Sequence, residues 1–141
     1  MKAIVLSFLL FLSVPVRAET YDIDAAHSSV GFRIKHLVSN VKGGFTKFEG
    51  SYDFEPGAPK SWKAWAKIDA ASINTNNEKR DGHLRTPDFF DVEKCPVIEF
   101  KSTMITDLKD NKAKLHGELT MHCVTKPVIL DLEIGGMDKD P

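Results

Sequence analysis

The sequence predicts an all-β protein, built on an antiparallel sheet that curls or closes on itself. Three observations lead there. Apolar and polar residues alternate with period two over several stretches, as in strands with one buried face. Turn-rich segments, not crossover helices of βαβ length, separate those stretches. Only one segment, 76–84, suits a helix, and it is short, with Asn76 or Asn77 as its cap.

The chain opens on Met1-Lys2, a basic head, followed by the apolar run 3–14, then Pro15 and the small-residue step Val16-Arg17-Ala18. This is the layout of a secretory signal peptide cut after Ala18. The run is about 12 residues, against roughly 20 for a bilayer span, so a membrane anchor does not fit. No later stretch is apolar enough to span a membrane. Residues 19–141 are therefore expected to form one exported domain, periplasmic in a cell with two membranes. Cleavage removes two of the 19 basic residues and none of the 20 acidic ones, leaving a net charge of −3. That charge excludes nucleic acid as a partner, because phosphate binding needs a basic face.

The first expected strand covers 28–36, with Val30, Phe32 and Ile34 on one face. A second runs over 45–54, with Phe48, Tyr52 and Phe54 in phase; Phe45 is out of phase, which implies a bulge near Lys47. Glu55-Pro-Gly-Ala-Pro59 is a turn. Over 62–70, Trp62, Ala64, Ala66, Ile68 and Ala70 alternate with Lys63, Trp65, Lys67 and Asp69. Ile98, Phe100 and Met104 share a face after Pro96, and Leu115, Leu119 and Met121 share one before Pro127. Val128, Leu130, Leu132 and Ile134 alternate most cleanly, against Ile129, Asp131 and Glu133.

Phe32, Phe48, Phe54, Met104 and Met121 are the inward candidates, with small Ala64, Ala66 and Gly117 in the same phase. Such a mix either fills a small barrel or leaves a tube for one apolar ligand. The stretch 73–91 is polar at first and ends in Phe89-Phe90, the pattern of a flap held down by its rings; plain core filling is the alternative. His83, Arg85, Asp88 and Asp91 follow or flank its short helix, and Arg85 is expected to pair with Asp88 or Asp91. His27, His36, His83, His116 and His122 include no i, i+4 pair, and there is no Cys-x-x-Cys, so no metal site is expected. Gly-x-Ser-x-Gly is absent and His122 neighbours Cys123 only in sequence, so no catalytic residue is assigned.

Seven segments occur in order from Tyr21 to about Gly136: Tyr21-Asp-Ile-Asp-Ala-Ala-His-Ser-Ser-Val30, Phe32-Arg-Ile-Lys-His-Leu37, Gly43-Gly-Phe-Thr-Lys-Phe-Glu-Gly50, Ile73 through Arg85, Asp88-Phe-Phe-Asp91, Pro96-Val-Ile-Glu-Phe-Lys-Ser102 and Gly117 through Val128. Together they resemble the YceI-like family of exported lipocalin-fold proteins. The resemblance implies a lipocalin-like antiparallel barrel with a short helical flap and a long apolar interior. It implies a periplasmic, non-enzymatic carrier of an isoprenoid lipid or quinone tail, with no other cofactor. Phe32, Phe48, Phe54, Phe89, Phe90, Met104 and Met121 then become ligand contacts, and His83 and Arg85, with Asp88, orient a head group at the mouth. The alternatives are a filled structural or stress-response module, or a remnant that acts only by oligomerising.

Two departures from the family accompany this. Family members continue with further strands that close the barrel, so the barrel is expected to be incomplete at its C-terminus and 128–134 to form an open edge suited to a homodimer. Cys95 and Cys123 stand where the family does not usually carry cysteine. Antiparallel pairing of 98–104 with 113–121 brings both to one end, but strand phase puts them on opposite faces. A disulfide then requires Pro96 to shift the register.

Overall fold

The computed structural model describes residues 18–36 and 39–136. The expected leader, save Ala18, lies outside the described residues, as does the tail 137–141. Nine strands are described: β1 (Glu19–Asp22), β2 (Val30–His36), β3 (Ser39–Phe45), β4 (Phe48–Phe54), β5 (Lys63–Asp69), β6 (Ile73–Asn74), β7 (Val97–Lys109), β8 (Lys112–Met121) and β9 (Val124–Glu133), with one helix, α1 (Glu78–Leu84). They form a six-stranded sheet in the order β1-β4-β5-β7-β8-β9 and a three-stranded sheet in the order β2-β3-β6. Every pairing is antiparallel. Among the described residues neither sheet closes on itself, so the fold is an open form of the expected barrel. No described helix is long and apolar enough to cross a membrane.

The larger sheet carries most of its apolar residues on one face. Phe48, Gly50 and Tyr52 of β4 oppose Ile68, Ala66 and Ala64 of β5. Ile68 and Ala66 in turn oppose Ile98 and Phe100 of β7, and Phe100 opposes Leu119 of β8. Gly117, Leu115 and Ala113 meet Val128, Leu130 and Leu132 of β9. The other face carries Glu49, Lys67, Glu99 and Lys101 in the same rows. Ile98, Ala113 and Leu115 are buried, together with Trp62, Ala70, Ile73 and Cys95.

Gly117 is fixed by this packing. A Cβ there would stand 2.5 Å from the Phe100 ring and 2.5 Å from the Lys101 carbonyl. Gly117→Ala is expected to destabilise by about 1–3 kcal/mol, the usual range for overpacking, and a lowered midpoint in chemical denaturation checks it.

Four sequence expectations are corrected. The single strand over 45–54 is two strands in different sheets. The chain breaks at Thr46-Lys47, where the Thr46 and Lys47 amides donate to Ser72 O and Oγ (3.1 Å each) and the Lys47 carbonyl accepts from the Asp69 amide (3.0 Å). Met104 does not share a face with Phe100. Ser102 pairs with Gly117 and Met104 with His116, so Thr103 is an extra residue that reverses the phase. Met104 is 54% exposed on the polar face, while Ile105 turns inward opposite Leu115. The last strand does not start after Pro127 but runs through it, because β9 is an edge and proline's missing donor costs nothing on an unpaired side. Finally, Cys123 does not continue β8. His122 (φ 51°) and Cys123 (φ 57°) both lie in the left-handed region and form the two-residue turn between Met121 and Val124.

Candidate functional site

The flap is built from α1 outward. Asn77 caps the helix by accepting from the Arg80 amide (3.0 Å). Asp81 is buried and accepts from Thr75 N (3.0 Å) and Thr75 Oγ1 (2.5 Å). Arg80 closes round the same residue, donating from Nε to Thr75 Oγ1 (2.7 Å) and from Nη2 to Thr75 O (2.8 Å). Arg85 does not make the expected ion pair. It donates from Nε to Ala71 O (2.8 Å) and from Nη2 to Ile73 O (3.0 Å), which ties the end of the helix to the start of β6. A guanidinium's fixed fork suits two carbonyls of one turn as well as it suits a carboxylate. Asp88 instead lies 3.7 Å from exposed His83, and Asp91 4.0 Å from Lys94.

The aromatic pair at the flap's end divides. Phe90 packs edge-on against Phe45 (5.8 Å between centroids), which adjoins Phe32 (5.9 Å). The Phe32 ring lies over Gly43, where a Cβ would meet it at 2.5 Å. Phe89 is 47% exposed and stands edge-on to His83 at 4.9 Å. Its carbonyl accepts from His122 Nδ1. Beside it the Cys95 and Cys123 sulfurs are 2.00 Å apart, with Cα atoms 5.4 Å apart. The phase objection to this pair assumed that Cys123 lay on a strand; in a turn it faces the loop that carries Cys95.

The apolar cleft is elsewhere. It encloses about 280 Å³ and is walled by Phe54, Trp62, Ile105, Leu115, Leu132 and Ile134, with Tyr21 and Tyr52 stacked at its side (5.4 Å) and Asp53, Lys63 and Glu133 also in its lining. These residues lie at the end of the large sheet away from the flap. Phe54 is six residues along β4 from Phe48, roughly 20 Å at strand rise. Trp62 forms the floor: it is buried, lies 4.6 Å from Phe54, and donates from Nε1 to Glu55 O (2.7 Å). The Tyr21 hydroxyl donates to Glu19 (2.9 Å), and that hydrogen bond raises the phenol's pKa above its usual value.

The predicted ligand contacts are thus not one site. Phe54 lines the cleft. Phe32 and Phe90 pack near the flap, and Phe48 sits at the flap end of β4. Phe89, Met121 and Met104 are substantially exposed. His83 and Arg85 belong to the flap, remote from the cleft. Sequence reading missed Trp62, Ile105, Leu115, Leu132 and Ile134 as cleft walls, although it had placed all but Ile105 on apolar phases. Among the described residues no cluster of three or more His, Cys, Asp or Glu side chains is arranged to hold a metal.

The profile of the YceI-like domain matches residues 21–140. The chain belongs to the YceI-like family. A UPF0312 protein of Vibrio cholerae is 33% identical over 144 residues, covering all of this YceI-like chain and 76% of that protein. A UPF0312 protein of Photorhabdus laumondii is 43% identical over 85% of this chain and 62% of its own length. Among solved structures, BcnA of Burkholderia cenocepacia superimposes with a TM-score of 0.79 at 25% identity, covering 82% of this chain and 73% of BcnA. The YceI protein of Campylobacter jejuni gives 0.69 at 42% identity, over 85% and 71% of the two chains. A polyisoprenoid-binding domain from Saccharophagus degradans shares the fold at 15% identity (TM-score 0.59), over 84% of this chain and 70% of that one.

Proposed function

We propose that this YceI-like protein is a periplasmic, non-catalytic carrier that holds the isoprenoid tail of a lipid or quinone against the apolar face of its larger sheet. The observation that carries the reading is the cleft floored by Trp62 and walled by Phe54, Ile105, Leu115 and Leu132. Its walls are mostly hydrocarbon, which suits a ligand with a long apolar tail. Each buried methylene contributes about 0.8 kcal/mol, so ten carbons give roughly 8 kcal/mol before the cost of association. The fold shared with a polyisoprenoid-binding domain supports the same reading. Export, the step that would place the protein in the periplasm, rests on the leader-like pattern of residues 1–18.

The test is mass spectrometry of organic extracts of protein purified from its own host, followed by titration of delipidated protein with geranylgeraniol. An isoprenoid is expected in the extract, and Ile105→Trp, which fills the cleft, is expected to weaken geranylgeraniol binding at least tenfold. Protein that carries no lipid and does not bind the alcohol refutes the reading.

A further inference from the structure

We propose that the Cys95–Cys123 bridge is a thiol–disulfide exchange site that latches the β8–β9 turn to the flap, so that an external dithiol controls how firmly the flap end is held. The inference is independent of the carrier reading. Two links join turn and flap: the bridge itself and the His122 Nδ1 bond to the Phe89 carbonyl. They involve adjacent residues of the turn and reach both ends of the loop segment 89–95. The segment is otherwise folded on itself and on α1, through Phe90 N to Leu84 O (3.0 Å), Val92 N to Arg85 O (3.2 Å) and Cys95 N to Asp91 O (2.7 Å). Phe90 anchors it to Phe45 independently. Breaking the bridge therefore leaves both partners folded, with the His122 bond to the Phe89 carbonyl alone holding the turn to the flap. The turn begins β9, the edge strand, which has β8 alone as a sheet neighbour among the described residues. That end of β9 has most to lose when the turn is freed.

Access favours one sulfur. Cys123 is exposed on the turn, whereas Cys95 is 8% exposed beneath the loop. A thiolate of the reductant attacks Cys123 Sγ, the Sγ–Sγ bond breaks, and Cys95 departs as a thiolate that takes up a proton. The reductant's second thiol then displaces Cys123 from the mixed disulfide. The protein gains two electrons and two protons, and the dithiol becomes a disulfide.

The experiment is amide hydrogen exchange on the full chain, oxidised and after dithiothreitol, with the Cys95→Ser/Cys123→Ser double variant as a reductant-insensitive control. Exchange over 88–95 and 121–128 is expected to rise at least tenfold on reduction, with β4, β5 and α1 changing less than twofold. The double variant should match the reduced protein with or without dithiothreitol. Unchanged exchange, two free thiols in air-oxidised protein, or a rise spread over the whole chain overturns the latch. A protein that binds no geranylgeraniol in either state but loosens locally upholds the latch and defeats the carrier reading instead.

Discussion

Replacing Trp62 by alanine is expected to cost about 3–5 kcal/mol of stability, the range for removing a buried large aromatic, and to abolish binding of an isoprenoid chain. Three losses coincide at this residue. The indole is 8% exposed, so nearly all of its apolar surface returns to a cavity. Its tilted contact with the Phe54 ring at 4.6 Å disappears, which leaves Phe54 free to turn into the space. The Glu55 carbonyl loses the indole donor at 2.7 Å and keeps only the Ala58 amide (3.1 Å) in the turn between β4 and β5. Trp62→Phe separates these contributions. It keeps a ring on Phe54 and gives up the N–H, so it should cost about 1 kcal/mol from the hydrogen bond, plus the smaller volume. Urea denaturation measures both. Ile129→Ala is the reference: Ile129 is 61% exposed on the polar face and should move stability by less than about 0.5 kcal/mol. A Trp62→Ala protein within 1 kcal/mol of the parent would show that the cleft is not built on this side chain.

The faces of β4, β5 and β9 were legible in the sequence because a period of two is a local property. Each strand needs only its own residues to say which side is apolar, and Trp62, Tyr52 and Leu132 all fall on the expected side. The helix cap was legible to within one residue, Asn76 or Asn77, for the same reason, since one side chain and one nearby amide suffice. What the sequence hid were events that change phase without a marker. Thr103 is inserted between Ser102 and Met104 with no glycine or proline to signal it, and it sends Met104 outward and Ile105 inward. The His122-Cys123 turn holds two residues in the left-handed region where asparagine and glycine are the usual occupants. It is held by contacts from another part of the chain, the Phe89 carbonyl and Cys95. Such support is tertiary and leaves no trace in a window of ten residues. The location of the cleft was hidden likewise. Phe32 and Phe54 share an alternation pattern, yet one lies over Gly43 in the small sheet and the other over Trp62 at the far end of the large one.

The flap illustrates a related difficulty with charge. His83, Arg85 and Asp88 attract notice because they stand close in sequence to the exposed end of a helix, but Arg85 binds carbonyls, and the His83–Asp88 contact at 3.7 Å is solvent-exposed and worth little. The residue on which the flap depends is Asp81. Its carboxylate is buried, and Thr75 donates to it from both the amide and the hydroxyl. Arg80 holds the Thr75 carbonyl and hydroxyl from the other side, so residues 75–81 form a closed ring of side-chain and main-chain bonds. Asp81→Ala opens that ring and strands a buried Thr75 N–H. An unsatisfied buried donor costs about 1–3 kcal/mol, and bonds to a charged acceptor lie at the upper end. The expected loss is therefore about 3 kcal/mol. Asp81→Asn keeps one acceptor oxygen for the Thr75 amide and should lose about half as much. Because Arg85 clamps Ala71 and Ile73 independently of Asp81, α1 should stay attached in both variants. Its amides should exchange faster from Glu78 to Leu84, while β7 and β8 stay protected. Equal loss from the alanine and asparagine variants would place the contribution in packing and not in the carboxylate's bonds.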